Sequence, residues 1–348
     1  MNKPQMPEDI RNQPASLAGV LDHQFGAGEN ALGLAATYVS AARRVVVTGM
    51  GASLFASMPF VSGLTGQNLN TTIIEASELL HYQTETCRNS VVVLVSRSGE
   101  SIEVLKLLPI LRELGATAIG VTNEPGSTLA QSADVPLFVN SQNDEMVAVQ
   151  SYTGTVLALL LLAGAALGRS VDDLRQEAKA VVRECADLVS SFLDGDYDWR
   201  DFFDGTCVVH VLGRGPSVAS VHEGALLFNE TAKLASVAAT PGAFRHGPVE
   251  IVDGTFRAIL FATHERTREL DYGFASDLSR MGAKVNVVAA GGTWPIPDVP
   301  EFYLPLVEII PVQVAALRAA ELRGVRPGQF RYVAKVTSTE TGFQAYGQ

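Results

Sequence analysis

The chain is poor in cysteine, in aromatic residues and in positive charge. Its 348 residues include three cysteines, which lie far apart and form no Cys-x-x-Cys pair. This spacing argues against a zinc ribbon and a disulfide framework, and it favours a reducing compartment. Lys and Arg number 26 against 37 Asp and Glu, so the net charge is −11 at pH 7. Because an acidic chain repels a phosphodiester backbone, we expect no nucleic-acid partner.

Targeting signals and long apolar runs are also scarce. The N-terminal sequence MNKPQMPEDIR is polar and lacks the apolar segment of a secretory signal. The longest apolar run, residues 156–168, has 13 residues, which is too short to span a bilayer and predicts a helix buried on all sides. We therefore expect a cytoplasmic protein without a membrane partner. Hydrophobic residues make up 47% of the chain and charged residues 18%, as in a well-packed protein of two domains.

Strand and helix patterns alternate along the first half. Apolar, β-branched runs at 45–48 and 90–95 each lead into a loop rich in glycine and serine. An amphipathic segment at 102–114 follows the second loop, and another apolar run follows at 118–121. This alternation predicts βαβ units and a parallel sheet, whose ligands bind at the carboxyl ends of the strands.

The second half repeats the same order of elements. Gly49 and Gly213 open similar loops 164 residues apart, and Gly115 and Gly282 precede similar strands 167 residues apart. This near-constant offset indicates an internal duplication of one α/β domain. We therefore predict four segments: a helical segment at 1–43, a first domain at 44–170, a linking helix at 171–195, and a second domain with a C-terminal tail at 196–348.

The loop at 96–101 has the composition of an anion site. It lies between a predicted strand and a helix start, where backbone N–H groups and the positive helix end favour an anion. Gly99 allows close backbone approach, and Arg97 adds positive charge. Hydroxyl donors come from Ser53, Ser96, Ser98 and Ser101. The alternative is that these serines cap the helix.

Other site types are less well supported. Neither Gly-x-Gly sequence, at 49–51 or at 213–215, completes the dinucleotide pattern Gly-x-Gly-x-x-Gly, so we expect no nicotinamide cofactor. Apart from His246, the histidines show no metal-binding spacing, so we also expect no metal. The second-half loop at 263–267, Thr-His-Glu-Arg-Thr, lacks glycine and carries a carboxylate. We therefore expect that only the first half retained an anion site.

Two carboxylates are candidates for proton transfer. Glu223 and Glu230 lie seven residues apart on one predicted helix, hence on one face, with apolar residues between them. Burial would raise the pKa of either carboxyl toward the range useful for acid–base catalysis. The alternative is a solvated face with an ion pair between Glu230 and Lys233.

His246 is a further candidate residue, and it lies in a loop braced by glycine and proline.

Together these motifs resemble the sugar isomerase (SIS) family, specifically the double-SIS isomerase half of glucosamine-6-phosphate synthase and its stand-alone relatives. The resemblance extends from about residue 44 to residue 335. It rests on six motifs: Gly-x-Gly-x-Ser at 49–53, Ala-Ser-Glu at 76–78, the serine loop at 96–101, Glu-Gly-Ala-Leu-x-x-x-Glu at 223–230, His-Gly-Pro at 246–248, and the tail Ala-Lys at 334–335.

The resemblance implies two flavodoxin-like, three-layer α/β/α domains, a 6-phosphosugar ligand, and a homodimer with its active site at the subunit interface. It implies that Glu230 is the base that moves a proton between C1 and C2. His246 would assist ring opening from the neighbouring subunit, and Lys335 would lie against the sugar. The remaining implied binding residues, besides the serine loop, are Ala148, Glu223 and Ala334.

Differences from the synthase pattern limit the reactions that we expect of this chain. Leu227 and Asn229 replace two lysines of the synthase helix, Arg97 replaces a neutral residue, and Asn2 stands where the glutaminase half has cysteine. We therefore expect acid–base chemistry without glutamine-dependent amination. Aldose–ketose isomerisation, deamination of an amino-sugar phosphate, and deglycation of a phosphorylated Amadori adduct all remain open.

A non-catalytic phosphosugar sensor is the alternative function. Sensors of this kind carry a helix-turn-helix domain ahead of the SIS fold. About 43 residues precede the first predicted strand here, and residues 31–42 are predicted to form one helix. We therefore favour an enzyme.

Overall fold

Two parallel sheets organise the chain in a computed structural model that describes residues 6–332 and 334–342. The strands of the first sheet are β1 (Val45–Gly49), β2 (Thr71–Glu75), β3 (Val91–Val95), β4 (Thr117–Thr122) and β5 (Val135–Phe138). Those of the second are β6 (Val208–Leu212), β7 (Ala235–Ala239), β8 (Arg257–Phe261), β9 (Lys284–Ala289) and β10 (Trp294–Pro295). The orders are β2-β1-β3-β4-β5 and β7-β6-β8-β9-β10. Both sheets thus have the same order, as the predicted duplication of one α/β domain requires.

Helices flank both sheets. Those up to the end of the first half are α1 (Met6–Gln24), α2 (Glu29–Ala41), α3 (Gly51–Thr65), α4 (Ala76–Tyr82), α5 (Ile102–Glu113), α6 (Thr128–Ser132) and α7 (Gln150–Ala166). The later ones are α8 (Val171–Asp194), α9 (Trp199–Phe203), α10 (Val218–Leu227), α11 (Pro241–Phe244), α12 (Arg268–Arg280) and α13 (Leu304–Leu322). The predicted α/β fold class, with helices around parallel sheets, is confirmed.

The central strands form because their residues suit burial on both faces. β1, β3 and β8 are buried along their whole length, and β3 reads Val-Val-Val-Leu-Val. β-Branched residues fit a sheet that helices cover on both sides. The edge strand β7, Ala-Ser-Val-Ala-Ala, is partly exposed and lacks such a pattern. The sequence pattern does not predict β5, β7 or β10.

Two apolar helices form much of the core. α7 is buried along nearly its whole length, which confirms the predicted buried helix. Residues Glu301–Leu322, which include α13, are long and apolar enough to cross a membrane. However, 89% of the apolar 18-residue stretch within them is buried inside the protein. A core helix satisfies the same criteria of length and hydropathy.

The chain divides into two compact units. The first-sheet unit comprises the described residues of 15–143, 150–180 and 330–342, and the second-sheet unit comprises those of 6–14, 144–149 and 181–329. The C-terminal tail, which the sequence analysis placed with the second domain, belongs to the first-sheet unit. The boundaries at 44–170 and 196–348 stay a prediction.

Candidate active site

The predicted anion loop lies at the carboxyl end of β3 and leads into α5. Gly99 has a φ of +65°, in the left-handed region. A Cβ at this position would lie 2.1 Å from the Ser127 Oγ and 3.0 Å from the Thr122 Oγ1. Thr122 in turn donates to the Arg97 carbonyl oxygen at 3.1 Å. Only glycine therefore fits both the backbone conformation and the space at position 99.

The hydroxyls of this loop do not cap α5. Ser101 is the N-cap residue, yet its side chain makes no capping hydrogen bond. Its Oγ instead lies 3.0 Å from the Oγ of Ser96, and Ser98 Oγ accepts from the Glu100 N–H at 3.2 Å. Ser53, in the first turn of α3, accepts from the Arg97 N–H at 3.4 Å. The geometry of Ser101 favours the anion site over the capping alternative.

The C-terminal tail lies against this loop within the first-sheet unit. The Arg97 guanidinium donates to the Lys335 carbonyl oxygen at 3.4 Å, and the Ile102 N–H donates to the Thr337 carbonyl oxygen at 3.2 Å. Lys335 and its neighbour Ala334 are both half-buried. The structure therefore brings the two predicted tail residues together with the serine loop.

Further along the tail, Glu340 binds two basic side chains. It lies 2.7 Å from His81 Nε2 and pairs with the Lys106 ammonium. His81 belongs to α4 and Lys106 to α5, so the tail is attached to both helices. These contacts link residues more than 230 positions apart, and no local pattern in the sequence indicated them.

The two candidate carboxylates lie in the second-sheet unit, but they do not share one α-helix. α10 ends at Leu227, and residues Phe228–Ala232 form a π-helical turn. The turn ends at Lys233, whose φ is +51°. This differs from the predicted continuous helix because the wider i→i+5 turn shifts the position of Glu230. Such turns occur frequently at functional sites.

Glu230 has the electrostatics of a neutral-pH base. Burial raises the pKa of its carboxyl to about 7, although the charge of Lys233 acts in the opposite direction. Lys233 Nζ donates to the backbone carbonyl oxygen of Glu230 rather than forming the carboxylate ion pair considered from the sequence. The half-buried Glu230 can thus gain or lose a proton near pH 7.

Glu223 is a second carboxyl in the same unit and has a different environment. It is 1% exposed, and its Oε2 has no hydrogen-bond partner among the described residues. Burial first, and then the charges of Glu230 and Asp144, raise its pKa well above the usual range. Asp144, which is also buried, was missed in the sequence analysis because nothing around it indicates a site. A protonated Glu223 is suited to donating a hydrogen bond.

His246 and Ala148 also lie in the second-sheet unit. His246 follows α11, its N–H donates to the Ala243 carbonyl oxygen at 3.1 Å, and the residue is exposed. Gly247, next to it, has a φ of +134°. Ala148 is half-buried. The predicted site residues therefore form two groups, one in each unit, and their roles stay predictions.

The described part of the chain has no evident metal-binding site. Among residues 6–332 and 334–342, no group of three or more His, Cys, Asp or Glu side chains is arranged to hold a metal ion. Two cysteines are buried, Cys87 and Cys185, and burial raises the pKa of each thiol, to about 11 and about 12. Both thiols are therefore protonated near neutral pH, which makes them weak nucleophiles.

Comparison with known proteins shows what the chain is similar to. Residues 38–167 match the model of the SIS domain. A glutamine–fructose-6-phosphate aminotransferase (isomerizing) of Pyrobaculum aerophilum is 28% identical over 352 residues, which cover 96% of this chain and 57% of that protein. The chain spans about half the length of the curated relatives it matches.

Solved structures share the fold over nearly the whole chain. The C-terminal domain of glucosamine-fructose-6-phosphate aminotransferase from Francisella tularensis has a TM-score of 0.80 at 18% identity, covering 93% of this chain and 97% of that one. A glucosamine-6-phosphate deaminase from Thermotoga maritima has a TM-score of 0.79 at 21% identity, covering 95% and 99%. These structures share the fold, and the match of residues 38–167 to the SIS domain model confirms the resemblance that the motifs predicted.

Proposed function

We propose that this protein binds a sugar 6-phosphate at the serine loop and transfers a proton between C1 and C2 of the sugar. The observation that carries the proposal is the loop at 96–101, where Ser101 leaves the start of α5 uncapped by its side chain. A phosphoryl group would accept hydrogen bonds from these hydroxyls and from backbone N–H groups at the helix start. Arg97 would add charge complementarity.

Glu230 is the proposed base. A carboxylate with a pKa of about 7 can remove a proton from carbon next to a carbonyl and return it to the neighbouring carbon. In an isomerisation, the C2–H bond of the aldose breaks and an enediol forms. The C1–H bond of the ketose then forms, while a hydroxyl proton moves between the oxygens. Burial raises the pKa of Glu223 well above its usual range, and we propose that its protonated form donates a hydrogen bond to the substrate.

Release of nitrogen is the second form of the same chemistry. When the sugar carries an amino group at C1 or C2, the shuttle yields an imine, and water then displaces the nitrogen as ammonia or an amine. Leu227, where the synthases have lysine, is fully buried and supplies no amine. This favours reactions that need a carboxylate and a histidine alone. The names of the relatives include both an aminotransferase and a deaminase.

A homodimer is part of the proposal. His246 is exposed on its own chain and lies in a loop braced by Gly247 and Pro248. An exposed imidazole is suited to reach a site on a second copy, where it would protonate the ring oxygen and assist ring opening. Lys335, held near the serine loop, would contact the sugar.

The test is proton NMR in D₂O with the 6-phosphates of fructose, glucosamine, galactosamine and fructosyl-amino acids. Glutamine and ammonia are added in separate arms. We expect deuterium at C1 or C2 of one substrate, and release of ammonia or amino acid identifies the reaction. The variant Glu230→Gln should lose exchange by at least about 10²-fold while still binding the phosphosugar. Undiminished exchange in this variant would refute the assigned base.

The control for the phosphate site is Ser98→Ala. It should weaken the binding of phosphorylated sugars but leave the binding of the free sugars unchanged. An equal loss for both would show that the loop does not bind the phosphoryl group. Saturable binding of a phosphosugar without any exchange would identify the protein as a sensor instead.

A further inference from the structure

The second sheet has a site in the same place as the serine loop of the first. Both sheets have the same strand order, so the ends of β6 and β8 correspond to those of β1 and β3. Ser217 lies 164 residues after Ser53, the same offset that separates Gly213 from Gly49. β-Sheet pairing sets Thr48 against Leu94 and Leu212 against Leu260. Leu260 therefore corresponds to Leu94. Thr263 and His264 lie three and four residues after Leu260, so they correspond to Arg97 and Ser98, which lie three and four residues after Leu94.

In the second sheet, the position that corresponds to the serine loop is occupied by a side chain of the protein itself. The side chain of Glu308, on α13, is fully buried. Its Oε2 accepts from the Ser217 Oγ at 2.9 Å and from the Thr263 Oγ1 at 3.1 Å. Its Oε1 accepts from the Ser220 Oγ at 2.8 Å. Three hydroxyls, two that follow strands β6 and β8 and one on α10, therefore converge on one carboxyl.

The charges around Glu308 are sparse. Among the described residues, no Lys or Arg lies within ion-pair distance of its carboxyl. The nearest cationic candidate is His264, whose Nε2 lies 3.0 Å from the Ser217 Oγ. Burial raises the pKa of Glu308, while His264 and the hydroxyls act against that rise. A carboxyl in an apolar helix is costly to bury, so its position needs these specific partners.

The same cluster also resembles a catalytic triad. Ser217 lies 3.0 Å from His264 Nε2, and His264 Nδ1 lies 2.5 Å from the carboxylate of Glu301. However, Ser217 is 1% exposed and donates its single hydroxyl proton to Glu308. A nucleophile needs access to substrate and a proton directed at its base. The contacts therefore favour a closed anion cradle over a nucleophile.

We infer that the carboxyl of Glu308 occupies the place in the second half that a phosphoryl group takes in the first, and that removing it opens a second anion site for phosphate or a phosphate monoester. The comparison rests on the proposed function of the serine loop. It follows that the intact chain binds one phosphorylated ligand, because the duplicated position holds a carboxyl group of its own.

The test uses inorganic phosphate and the full chain in the Ser98→Ala background, which weakens binding at the first site. We measure ³¹P line broadening and the phosphate-dependent rise in melting temperature, with chloride at matched ionic strength as reference. Glu308→Ala should bind phosphate at least roughly tenfold more tightly than Ser98→Ala alone. Glu308→Gln is the matched control, because the amide fills the same space and should bind no phosphate.

A second control shows where the phosphate lies. Adding Ser217→Ala to the Glu308→Ala chain should abolish the gained binding. A folded Glu308→Ala chain that binds phosphate no better than its parent would overturn the inference. If Glu308→Ala folds only with phosphate present, the inference is supported, whereas a chain that phosphate does not rescue counts against it. Failure of wild-type protein to bind phosphate would refute the proposed serine-loop site, but not the gain in Glu308→Ala.

Discussion

Glu230 shows how one residue acquires a catalytic property from its surroundings. Its position in a π-helical turn places it beyond the end of α10, and burial raises the pKa of its carboxyl to about 7. Glu223, seven residues earlier, is buried more deeply, and burial raises its pKa well above the usual range as well. Carboxyls in different environments are suited to different roles, one as a base and the other, when protonated, as a hydrogen-bond donor.

The pH dependence of the reaction should follow the ionisation of Glu230. Because the proposed base must be deprotonated, kcat/KM should rise with pH and reach a plateau above about 7. The measurement is the exchange rate in D₂O buffers across this range. A rate that falls as pH rises through 7 would contradict the assignment of Glu230 as the base.

The same pKa predicts a stability effect. Between pH 4.5 and about 7, the folded chain retains a proton on Glu230 that the unfolded chain releases. The stability from this proton is complete below pH 4.5 and is lost as pH rises through 7. The quantity to compare is the unfolding free energy of Glu230→Gln minus that of wild type. This difference should be larger at pH 8 than at pH 5 by roughly 2 kcal/mol, after allowing for the partial exposure of Glu230.

Urea denaturation of both proteins at the two pH values measures this difference. The matched control is Glu113→Gln, which alters an exposed carboxyl at the end of α5. Its stability relative to wild type should stay the same at both pH values. Equal behaviour of the Glu230 and Glu113 variants would show that Glu230 titrates like a surface carboxyl.

At the scale of the element, the segment from β3 to α5 depends on its backbone conformation. Gly99 adopts a positive φ beside Ser127 and Thr122, and the loop bonds to the following strand through the Ser96 N–H and the Val121 carbonyl at 3.0 Å. The backbone N–H groups at the start of α5 can then face an anion. The proposed anion site therefore depends on the whole strand–loop–helix element.

The change Gly99→Ala should damage both this loop and ligand binding. The new Cβ would meet Ser127, so the loop must shift, and we expect a loss of about 1–3 kcal/mol in unfolding free energy. The KM for the phosphorylated substrate should rise at least about tenfold. The control Gly126→Ala lies in open space nearby and should change neither quantity appreciably. Unchanged KM in Gly99→Ala would argue against phosphate binding by this loop.

Periodicity predicted the central elements well and the irregular ones poorly. The runs at 45–48, 90–95 and 118–121 became β1, β3 and β4 with nearly the expected bounds. Buried parallel strands produce continuous apolar runs, which are easy to identify. The edge strand β7 consists of small residues and was missed. The π-turn was also missed, because the apolar pattern of the sequence does not distinguish a single i→i+5 turn from the end of an α-helix.

At the scale of the whole molecule, the two sheets share one strand order but differ at their strand ends. The first retains hydroxyls and a glycine at the end of β3, and the second directs hydroxyls at Glu308. The proposed duplication thus produced one site open to a ligand and one occupied by the chain itself. A second copy of the chain is expected to contribute His246.

Subunit complementation tests this dimer. If Glu230 comes from one subunit and His246 from its partner, then Glu230→Gln and His246→Ala chains, each inactive alone, should regain activity when refolded together. Random pairing predicts up to about a quarter of wild-type activity, since half the dimers are mixed and each has one intact site. No recovery in a mixture shown to contain mixed dimers would place both residues in the same chain.

The sequence alone was enough to determine the α/β class, the repeated order of elements, and the serine loop at a strand end. These features depend on interactions between neighbours in the chain, such as side-chain periodicity and backbone preference. The tertiary structure decided which distant groups meet. Glu308 lies 91 residues from Ser217, and the Lys335 carbonyl lies 238 residues from Arg97. It also decided the pKa of Glu230, because burial depends on how segments remote in sequence pack together.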